Sequence, residues 1–234
     1  MADTLKVNEL FGPTIQGEGP ATGKRAVFLR LMGCSLSCSW CDTAWTWDSS
    51  RFLLGPETQL LTAKEIVDQL DELAPDPMLV ITGGEPLLQQ DQPAWRELLD
   101  TVARPVHLET NGTILPNAIT IDTLDLLVAS PKLLNAGHHR GHQQAAMHPG
   151  YRDLADDPRV HLKIVVMGPA DVRAAVVLAQ RFGFPLDRLW VMPEGATREV
   201  LDGRWAAVAS AAASYGCNAT HRLHVLAWGN ERGR

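Results

Sequence analysis

The chain has four cysteines, and three of them, Cys34, Cys38 and Cys41, occur in one loop with the spacing C-x3-C-x2-C. Soft thiolate ligands select zinc, copper(I) or iron–sulfur clusters. A structural zinc site needs four protein ligands, but the nearest histidine along the chain is His107 and the fourth cysteine, Cys217, is remote. The spacing therefore favours a 4Fe–4S cluster on this loop, with one iron left open for a substrate or cofactor.

Short apolar runs rich in Val, Ile and Leu alternate along the chain with stretches of helical periodicity. Such nearly continuous runs are typical of parallel strands buried on both faces, so the alternation predicts an α/β fold with right-handed crossovers. The predicted strands are Ala26–Leu31, Met78–Thr82, Val106–Glu109, Leu126–Ala129, His161–Val166 and Arg188–Met192. The predicted helices are Thr62–Leu73, Pro93–Val102, Asp171–Phe182 and Thr197–Tyr215. Periodicity alone does not choose between a partial barrel and an open curved sheet.

Polar and turn residues gather directly after five of the predicted strands. The carboxyl ends of parallel strands meet at one edge of the sheet, which is where barrel-like α/β folds place their active sites. Turn formation by Gly and Pro explains one such loop, but it explains five less well. The segments are Gly33-Cys34, Thr82-Gly83-Gly84-Glu85-Pro86, Glu109-Thr110-Asn111-Gly112, Ser130-Pro131-Lys132 and Pro193-Glu194-Gly195.

The composition is that of an ordinary folded protein, with 234 residues, 45% of them hydrophobic and 21% charged. This length fits a single domain over residues 1–234. The formal net charge of -6 argues against non-specific nucleic-acid binding. No apolar run is long enough to span a membrane, and Met1–Asn8 has no apolar core like that of a secretory signal. We expect a soluble, cytoplasmic protein that binds neither nucleic acid nor membrane.

Two features have no predicted role. The segment Asn135–Asp157 contains several histidines between residues 138 and 148, but no carboxylate or cysteine accompanies them at ligand spacing. We interpret it as a solvated surface insertion rather than a metal site. Cys217 stands alone and is interpreted as a small buried hydrophobic residue.

The cysteine spacing, with Trp40 before the third cysteine, resembles that of the radical S-adenosylmethionine superfamily. The resemblance implies a partial (β/α)6 TIM-like barrel and a 4Fe–4S cluster whose open iron binds S-adenosylmethionine. Reductive cleavage of that cofactor then supplies a 5′-deoxyadenosyl radical. The glycine-rich motif after the second strand is implied to receive the methionine amino group, and the later motifs to contact ribose and carboxylate. The implied cofactor contacts are Gly84, Glu85, Glu109, Asn111, Ser130, Pro131, Lys132, Val191, Met192, Pro193 and Glu194.

Further motifs narrow the resemblance. The combination of QGEG at residues 16–19, FxRxxGC at 28–34 and CDT at 41–43 with TGGEP, ETNG and SPK resembles the 7-carboxy-7-deazaguanine synthase family, from about Glu9 to the C-terminus. The resemblance implies conversion of 6-carboxy-5,6,7,8-tetrahydropterin to 7-carboxy-7-deazaguanine with loss of ammonia, in queuosine-type 7-deazapurine biosynthesis. The radical would take the hydrogen at C6 and return it after ring migration.

The same resemblance implies a substrate site and a Mg²⁺ site. The implied substrate residues are Ile15, Gln16, Gly17, Glu18, Arg30 and Thr82. Glu18 can accept pyrimidine N–H groups, and the planar fork of Arg30 suits the substrate carboxylate, with an internal salt bridge as the alternative. Thr43 is implied to bind Mg²⁺, although Asp42 has the more usual ligand group. The tail, about residues 218–234, is implied to lie beside the substrate.

The resemblance also implies a homodimer and an external one-electron donor of flavodoxin or ferredoxin type. The alternative interpretation is a glycyl-radical activating enzyme, which shares the cysteine spacing but acts on a glycine of a partner protein. The QGEG and CDT motifs favour the small-molecule substrate. A non-catalytic zinc-binding module, the third interpretation, leaves the motifs at the strand ends unexplained.

Overall fold

The computed structural model describes residues 3–140, 146–229 and 231–233, in which nine strands form one sheet. The strands are β1 (Leu5–Ile15), β2 (Arg25–Leu31), β3 (Gln59–Leu61), β4 (Met78–Gly83), β5 (Val106–Thr110), β6 (Leu126–Ala129), β7 (Val160–Val166), β8 (Leu189–Pro193) and β9 (Asn218–Ala219). The helices are α1 (Ala63–Leu73), α2 (Pro93–Thr101), α3 (Ala118–Thr123), α4 (Pro169–Phe182), α5 (Arg198–Tyr215) and α6 (Leu223–Trp228).

The sheet has the strand order β3-β1-β2-β4-β5-β6-β7-β8-β9. Pairing is parallel from β2 through β9, whereas β1 runs antiparallel to both β2 and β3. In this order β3 and β9 each have one neighbour, so the sheet is open. The six predicted strands correspond to β2 and β4–β8, and they form the partial parallel barrel that the resemblance implies.

The four predicted helices correspond to α1, α2, α4 and α5. Helix α1 begins with a capping box, in which Thr62 Oγ1 accepts from the N–H of Glu65 and the Glu65 side chain accepts from the N–H of Thr62. Gly183 and Gly216 end α4 and α5 in the left-handed conformation, which glycine adopts without a Cβ penalty. No helix in the described ranges is both long and apolar enough to cross a membrane.

Sequence reasoning misses β1, β3, β9, α3 and α6. Strand β1 contains Gly12-Pro13, and proline cannot donate to a strand ladder while glycine weakens one. Antiparallel pairing with β2 holds β1 in place nonetheless, with a register irregularity between Phe11 and Thr14. The other four elements have two to six residues each, which is too short for a periodic pattern.

Side chains alternate between the two faces of each strand, and this alternation separates the core from the barrel interior. On β2, Val27 and Leu29 are fully buried in the main hydrophobic core, which also contains side chains from α1, α2, α4 and α5. Phe28 and Arg30 point to the opposite face, into the cavity of the barrel. Lys163 of β7 faces this interior too. The inner face therefore carries charged groups that the apolar strand pattern does not reveal.

Candidate active site

A cavity of about 260 Å³ lies at the carboxyl ends of the parallel strands, bounded by the cysteine loop, the strand-end loops and the tail. Most predicted site residues line it: Ile15, Gln16, Gly17, Glu18, Arg30, Cys34, Cys38, Cys41, Thr43, Thr82, Gly84, Glu109, Asn111, Ser130, Lys132, Met192, Pro193 and Glu194. Glu85, Pro131 and Val191 are not among the lining residues. Strand alternation turns Val191 into the hydrophobic core and Met192 into the cavity.

All three cysteines of the loop line this cavity. Burial raises the pKa of Cys34 to about 12, and burial also raises the pKa of Cys38. Both thiols therefore stay protonated near neutral pH unless a strong positive charge draws off the protons. Trp47 Nε1 lies 3.3 Å from Cys41 Sγ and donates to it, which orients that sulfur and leaves it available as a ligand.

The donor set fits an iron–sulfur cluster. In a 4Fe–4S cluster each thiolate binds a different iron, so the sulfurs stand apart around a shared volume rather than converging on one ion. Within the described ranges, no three His, Cys, Asp or Glu side chains are placed to hold a single metal ion. Three cysteines around one cavity, with no fourth His, Cys, Asp or Glu grouped with them among the residues that the structure describes, match a cluster with an open iron.

Two glycines bring the loop after β4 against the cysteine loop. A Cβ on Gly83 would lie 2.4 Å from Leu31 O, and one on Gly84 would lie 2.1 Å from Gly33 O. No other residue type fits at these positions without backbone movement, because the contacts are with main-chain atoms. This close approach explains the paired glycines and fixes the backbone of residues 83–84 beside Cys34.

Glu85 holds two strand-end loops together rather than facing the cavity. It is fully buried and accepts hydrogen bonds from the N–H groups of Leu87 and Asn111 and from Thr110 Oγ1. Burial raises the pKa of this carboxyl group, although the hydrogen bonds oppose the shift. The side chain thereby joins the loop after β4 to the loop after β5.

The loops after β5 and β6 bring polar groups beside the cysteines. Asn111 Nδ2 donates to Ser35 Oγ at 2.9 Å, next to Cys34. Lys132 Nζ donates to the carbonyl oxygen of Ser130 at 2.6 Å and lies 5.8 Å from the ring centroid of Trp40. Burial lowers the pKa of Lys132. These groups form a polar wall beside the cysteines, of a kind that suits an anionic or zwitterionic ligand.

Glu109 is the centre of a hydrogen-bonding group on the other side of the cavity. Its Oε1 accepts from Gln16 Nε2 at 3.1 Å and from Lys163 Nζ at 3.3 Å, and its Oε2 accepts from Thr82 Oγ1 at 3.0 Å. The structure thus places Glu109 beside the predicted substrate residues. The resemblance implies Glu109 as a cofactor contact, and that role stays a prediction.

Glu18, Lys163 and Glu109 form a buried charge group, and Glu18 also contacts two further basic side chains. Its Oε2 lies 2.5 Å from Lys163 Nζ, its Oε1 lies 2.9 Å from Arg222 Nε, and His224 Nε2 is 3.8 Å away. Burial raises the pKa of Glu18, but Lys163 and Arg222 outweigh burial and hold it well below its usual value. Glu109 and Glu18 in turn keep Lys163 protonated, because their negative charges hold its pKa above the usual range despite burial. Burial lowers the pKa of His224, which favours the neutral imidazole.

Arg30 forms the internal salt bridge that was the alternative to a substrate contact. Its Nε lies 2.7 Å from Glu9 Oε1, and its guanidinium lies 5.4 Å from the Phe11 ring centroid. Arg232 from the tail binds the other oxygen of Glu9 at 2.9 Å and lies over Trp45. Two guanidinium groups and one carboxylate therefore meet at the cavity wall.

Thr43 lines the cavity, with Oγ1 at 3.7 Å from Cys41 Sγ. Its neighbour Asp42 is bound by the Arg222 guanidinium, which also donates to the carbonyl oxygen of Gly195 at 2.6 Å. Asp42 is therefore already paired with a cation. The hydroxyl of Thr43, the other oxygen-bearing side chain of the CDT motif, contacts Cys41 Sγ instead of a cation.

The tail covers the loop after β1. Leu223 N–H donates to Gly17 O at 3.0 Å, and a Cβ on Gly17 would lie 2.1 Å from His224 Nδ1. Glycine at position 17 is thus required by the approach of the tail. The residues of the tail that line the cavity are Arg222, His224, Glu231, Arg232 and Gly233.

Sequence reasoning misses Lys163, Arg222, Glu9 and Arg232 as cavity residues. The sequence does indicate Lys163, because the run at 160–166 is apolar except for this lysine and His161. A buried lysine needs a carboxylate partner. For Arg222, Glu9 and Arg232 there is no such indication, since nothing in their local sequence shows which distant side chain each one meets.

Comparison with known proteins agrees with this geometry. The sequence profile of the Radical SAM superfamily matches residues 30–201. The chain is therefore a radical S-adenosylmethionine enzyme, of a superfamily that uses a 4Fe–4S cluster and S-adenosylmethionine.

Curated relatives define the family within this class. The chain is 35% identical to the 7-carboxy-7-deazaguanine synthase of Pyrobaculum aerophilum, over 98% of this chain and 97% of the relative. It is 33% identical to that of Bacillus subtilis, over 100% of both chains. The chain belongs to the 7-carboxy-7-deazaguanine synthase family.

Solved structures show the same fold. The crystal structure of QueE from Escherichia coli aligns with a TM-score of 0.62 at 23% identity, covering 93% of each chain. Streptococcus suis SuiB bound to S-adenosylmethionine aligns with a TM-score of 0.54 at 15% identity, over 81% of this chain and 48% of that one.

Proposed function

We propose that the enzyme converts 6-carboxy-5,6,7,8-tetrahydropterin to 7-carboxy-7-deazaguanine with loss of ammonia. The observation that carries the proposal is that one cavity is lined both by the three cysteines and by the buried charge group of Glu18, Lys163 and Glu109. A radical source and a polar pocket for a heterocycle are thereby placed side by side. Family membership over the whole chain supports the same reaction.

The charge group fits the pyrimidine edge of a pterin. That edge presents an amino group and a ring N–H as donors and a carbonyl oxygen as an acceptor. Glu18, held ionised by Lys163 and Arg222, and Glu109 supply carboxylate acceptors with lone pairs to spare. Gln16 supplies an amide from the same wall. The cations orient both carboxylates before the substrate arrives, which reduces the ordering that binding must impose.

Arg30 fits the carboxylate of the substrate. Its pairing with Glu9 already shows a guanidinium placed to bind a carboxylate at the cavity wall. In the proposed complex the substrate carboxylate displaces Glu9 from Arg30, and Glu9 keeps its bond to Arg232. Both carboxylates then keep a guanidinium partner, and neither incurs the free-energy penalty of an unpaired buried charge.

The cysteine side of the cavity fits the cofactors. Cys34, Cys38 and Cys41 would hold the 4Fe–4S cluster, and the backbone of Gly84, with Asn111 and Lys132, would contact S-adenosylmethionine. When bound, these cofactors supply the radical that abstracts the hydrogen at C6. The protein positions C6 between the two halves of the cavity and excludes water from it.

Thr43 is the proposed Mg²⁺ ligand. Mg²⁺ prefers oxygen ligands and keeps several waters, so a single hydroxyl can suffice alongside the substrate carboxylate. Asp42 is committed to Arg222, which supports the choice of Thr43 over its neighbour. A homodimer and an external flavodoxin- or ferredoxin-type electron donor complete the proposal by analogy with the family.

Anaerobic turnover tests the proposed function. The reconstituted enzyme is incubated with the carboxylated tetrahydropterin, S-adenosylmethionine and a reductant, with and without Mg²⁺. We expect the ultraviolet absorbance of a deazapurine and one equivalent of ammonia per product. A variant with all three loop cysteines changed to alanine should be colourless and inactive. A brown enzyme that cleaves S-adenosylmethionine but leaves the pterin unchanged would contradict the proposal and favour a glycyl-radical activating enzyme.

A further inference from the structure

The segment Asn135–Arg140, which follows the SPK motif, lies against the cysteine loop. The main-chain N–H of Ser39 donates to Ala136 O at 2.9 Å, and Trp40 Nε1 donates to Asn135 O at 2.9 Å. Two carbonyl groups of the segment thus bind the stretch between the second and third cysteines. The composition of residues 135–157 predicts a solvated surface insertion, and the contacts of residues 135–140 contradict that prediction for this part of it.

His139 and Arg140 bind the stretch between the first two cysteines. The N–H of Ser37 donates to His139 Nδ1 at 3.1 Å, and the N–H of Arg140 donates to Ser37 Oγ at 2.7 Å. Ser37 is buried, so its polar groups require partners from the protein. The segment supplies them from a part of the chain that is distant in sequence.

The Arg140 side chain continues onto the loop that follows the third cysteine. Its guanidinium binds Asp48 Oδ1 at 2.7 Å and lies 5.7 Å from the Trp47 ring centroid. Trp47 in turn donates to Cys41 Sγ. Arg140 therefore packs on a side chain that contacts a cysteine sulfur.

The inner side of the segment is apolar and tightly packed. Ala136 is fully buried in a small hydrophobic cluster with Leu36 and Cys38. A Cβ on Gly137 would lie 3.1 Å from Ser39 Oγ, and the backbone there is left-handed. The other side is anchored to the barrel by Asn135 Nδ2, which donates to Val165 O at 3.0 Å and to Asp171 Oδ2 at 2.8 Å.

We propose that residues 135–140 form a strap that fixes the cysteine loop in its cluster-binding conformation and shields it from solvent, with His139 and Arg140 as positioning residues. A loop that presents three sulfurs to one cluster binds the cluster more tightly when the loop is already ordered, because the entropy lost on ordering then belongs to folding and not to binding. Hydrogen bonds around the ligands and restricted solvent access also govern cluster reactivity. The strap's role rests on the proposed cluster but not on the pterin reaction.

Matched variants test the strap on the full-length protein. His139→Leu removes the acceptor for Ser37 N–H, and His139→Asn retains an oxygen acceptor near the position of Nδ1. His138→Leu makes the same change at an exposed neighbouring histidine. Arg140→Gln removes the link to Asp48, and Arg51→Gln removes the other arginine on Asp48, which comes from the loop itself.

The first measurement is the rate at which air bleaches the reconstituted cluster, together with iron and sulfide content. His139→Leu and Arg140→Gln should bleach about 2- to 10-fold faster, the factor expected when one hydrogen bond is lost. His139→Asn, His138→Leu and Arg51→Gln should stay close to wild type. Equal bleaching rates in all variants, or equally fast bleaching in the controls, would overturn the strap.

The second measurement needs no cluster. Amide hydrogen exchange of the apo-protein, read on peptides that cover residues 34–41, should be faster in His139→Leu than in wild type and restored in His139→Asn. Unchanged exchange would overturn the strap even if the cluster assembles. If the wild-type protein binds no iron and the apo-proteins still show this difference between variants, the result contradicts the proposed function and supports the ordering role of the strap.

Discussion

Lys163 Nζ lies 2.5 Å from Glu18 Oε2 and joins the inner face of β7 to the loop after β1, across a separation of 145 positions in sequence. Both side chains are largely removed from solvent, with 6% and 13% exposure. Loss of Lys163 at such a depth is costly, because Glu109 loses the cation with which it pairs and Glu18 is left with Arg222 as its guanidinium partner. The pair therefore fixes the charge pattern of the cavity wall.

Removal of Lys163 should be strongly destabilising. Lys163→Met leaves Glu18 and Glu109 without a shared cation, and we expect the free energy of unfolding to fall by about 3–5 kcal/mol. Adding Glu18→Gln should lessen this loss, giving a coupling energy of about 1 kcal/mol or more in a double-mutant cycle measured by chemical denaturation. Simple additivity of the two single changes would contradict a direct interaction.

The depressed pKa of Glu18 predicts a defined pH dependence. A carboxyl group with a lowered pKa in the folded state stabilises the protein above its unfolded pKa, about 4.3, and this contribution is lost as the pH falls below it. The difference in unfolding free energy between wild type and Glu18→Gln should therefore be constant above about pH 5 and shrink below about pH 4. Denaturant titrations across this range measure it. A difference that grew on acidification would reverse the assigned shift.

Gly17→Ala should displace the tail. The new Cβ would overlap His224 Nδ1, so His224 and the start of α6 must move away from the substrate site. We expect kcat/KM to fall by about 100-fold, the order found when a site is misplaced by about 1 Å. Gly17→Ala should also lower the free energy of unfolding, and adding His224→Ala should recover part of that loss because it removes the overlapping ring. Gly203→Ala in α5, where the new Cβ would meet no atom within 4 Å beyond its chain neighbours and the backbone of its own helix, is the matched control and should be neutral or slightly stabilising. Equal effects at the two glycines would exclude the tail contact.

Arg30→Lys should weaken binding of the carboxylated substrate. Lysine keeps the charge but loses the bidentate fork. We expect KM to rise about 10- to 100-fold with a much smaller change in kcat, as for lost ground-state binding. Arg25→Lys, on the same strand but paired with Asp76 at the surface, serves as the control. An unchanged KM in Arg30→Lys would show that Arg30 serves only the salt bridge to Glu9.

Thr43→Ala tests the proposed Mg²⁺ ligand. Because Asp42 is held by Arg222, loss of the Thr43 hydroxyl should abolish the stimulation of turnover by Mg²⁺ while the cluster absorbance is retained. Thr43→Ser keeps the hydroxyl and should keep the response. Normal turnover of Thr43→Ala with a full Mg²⁺ response would exclude Thr43 as the ligand.

The parts of this protein that depend on local pattern can be predicted from its amino-acid sequence. The six predicted strands and the four longer helices follow from runs of apolar side chains and from helical periodicity. The cysteine loop and the GGEP motif are likewise readable, because their function requires fixed residue types at fixed spacings. These motifs come together since parallel strands end at one edge of the sheet.

The pairing of charged side chains in the cavity becomes visible in the folded chain and not before. The sequence shows Glu18, Arg30 and Asp42 as isolated charged residues, and it cannot show that Lys163, Glu9 and Arg222 are their partners. Such pairs join residues far apart in the chain and depend on strand register and tail placement. The strap at residues 135–140 was missed for the same reason, because its role lies in the main-chain groups it meets and not in its own composition.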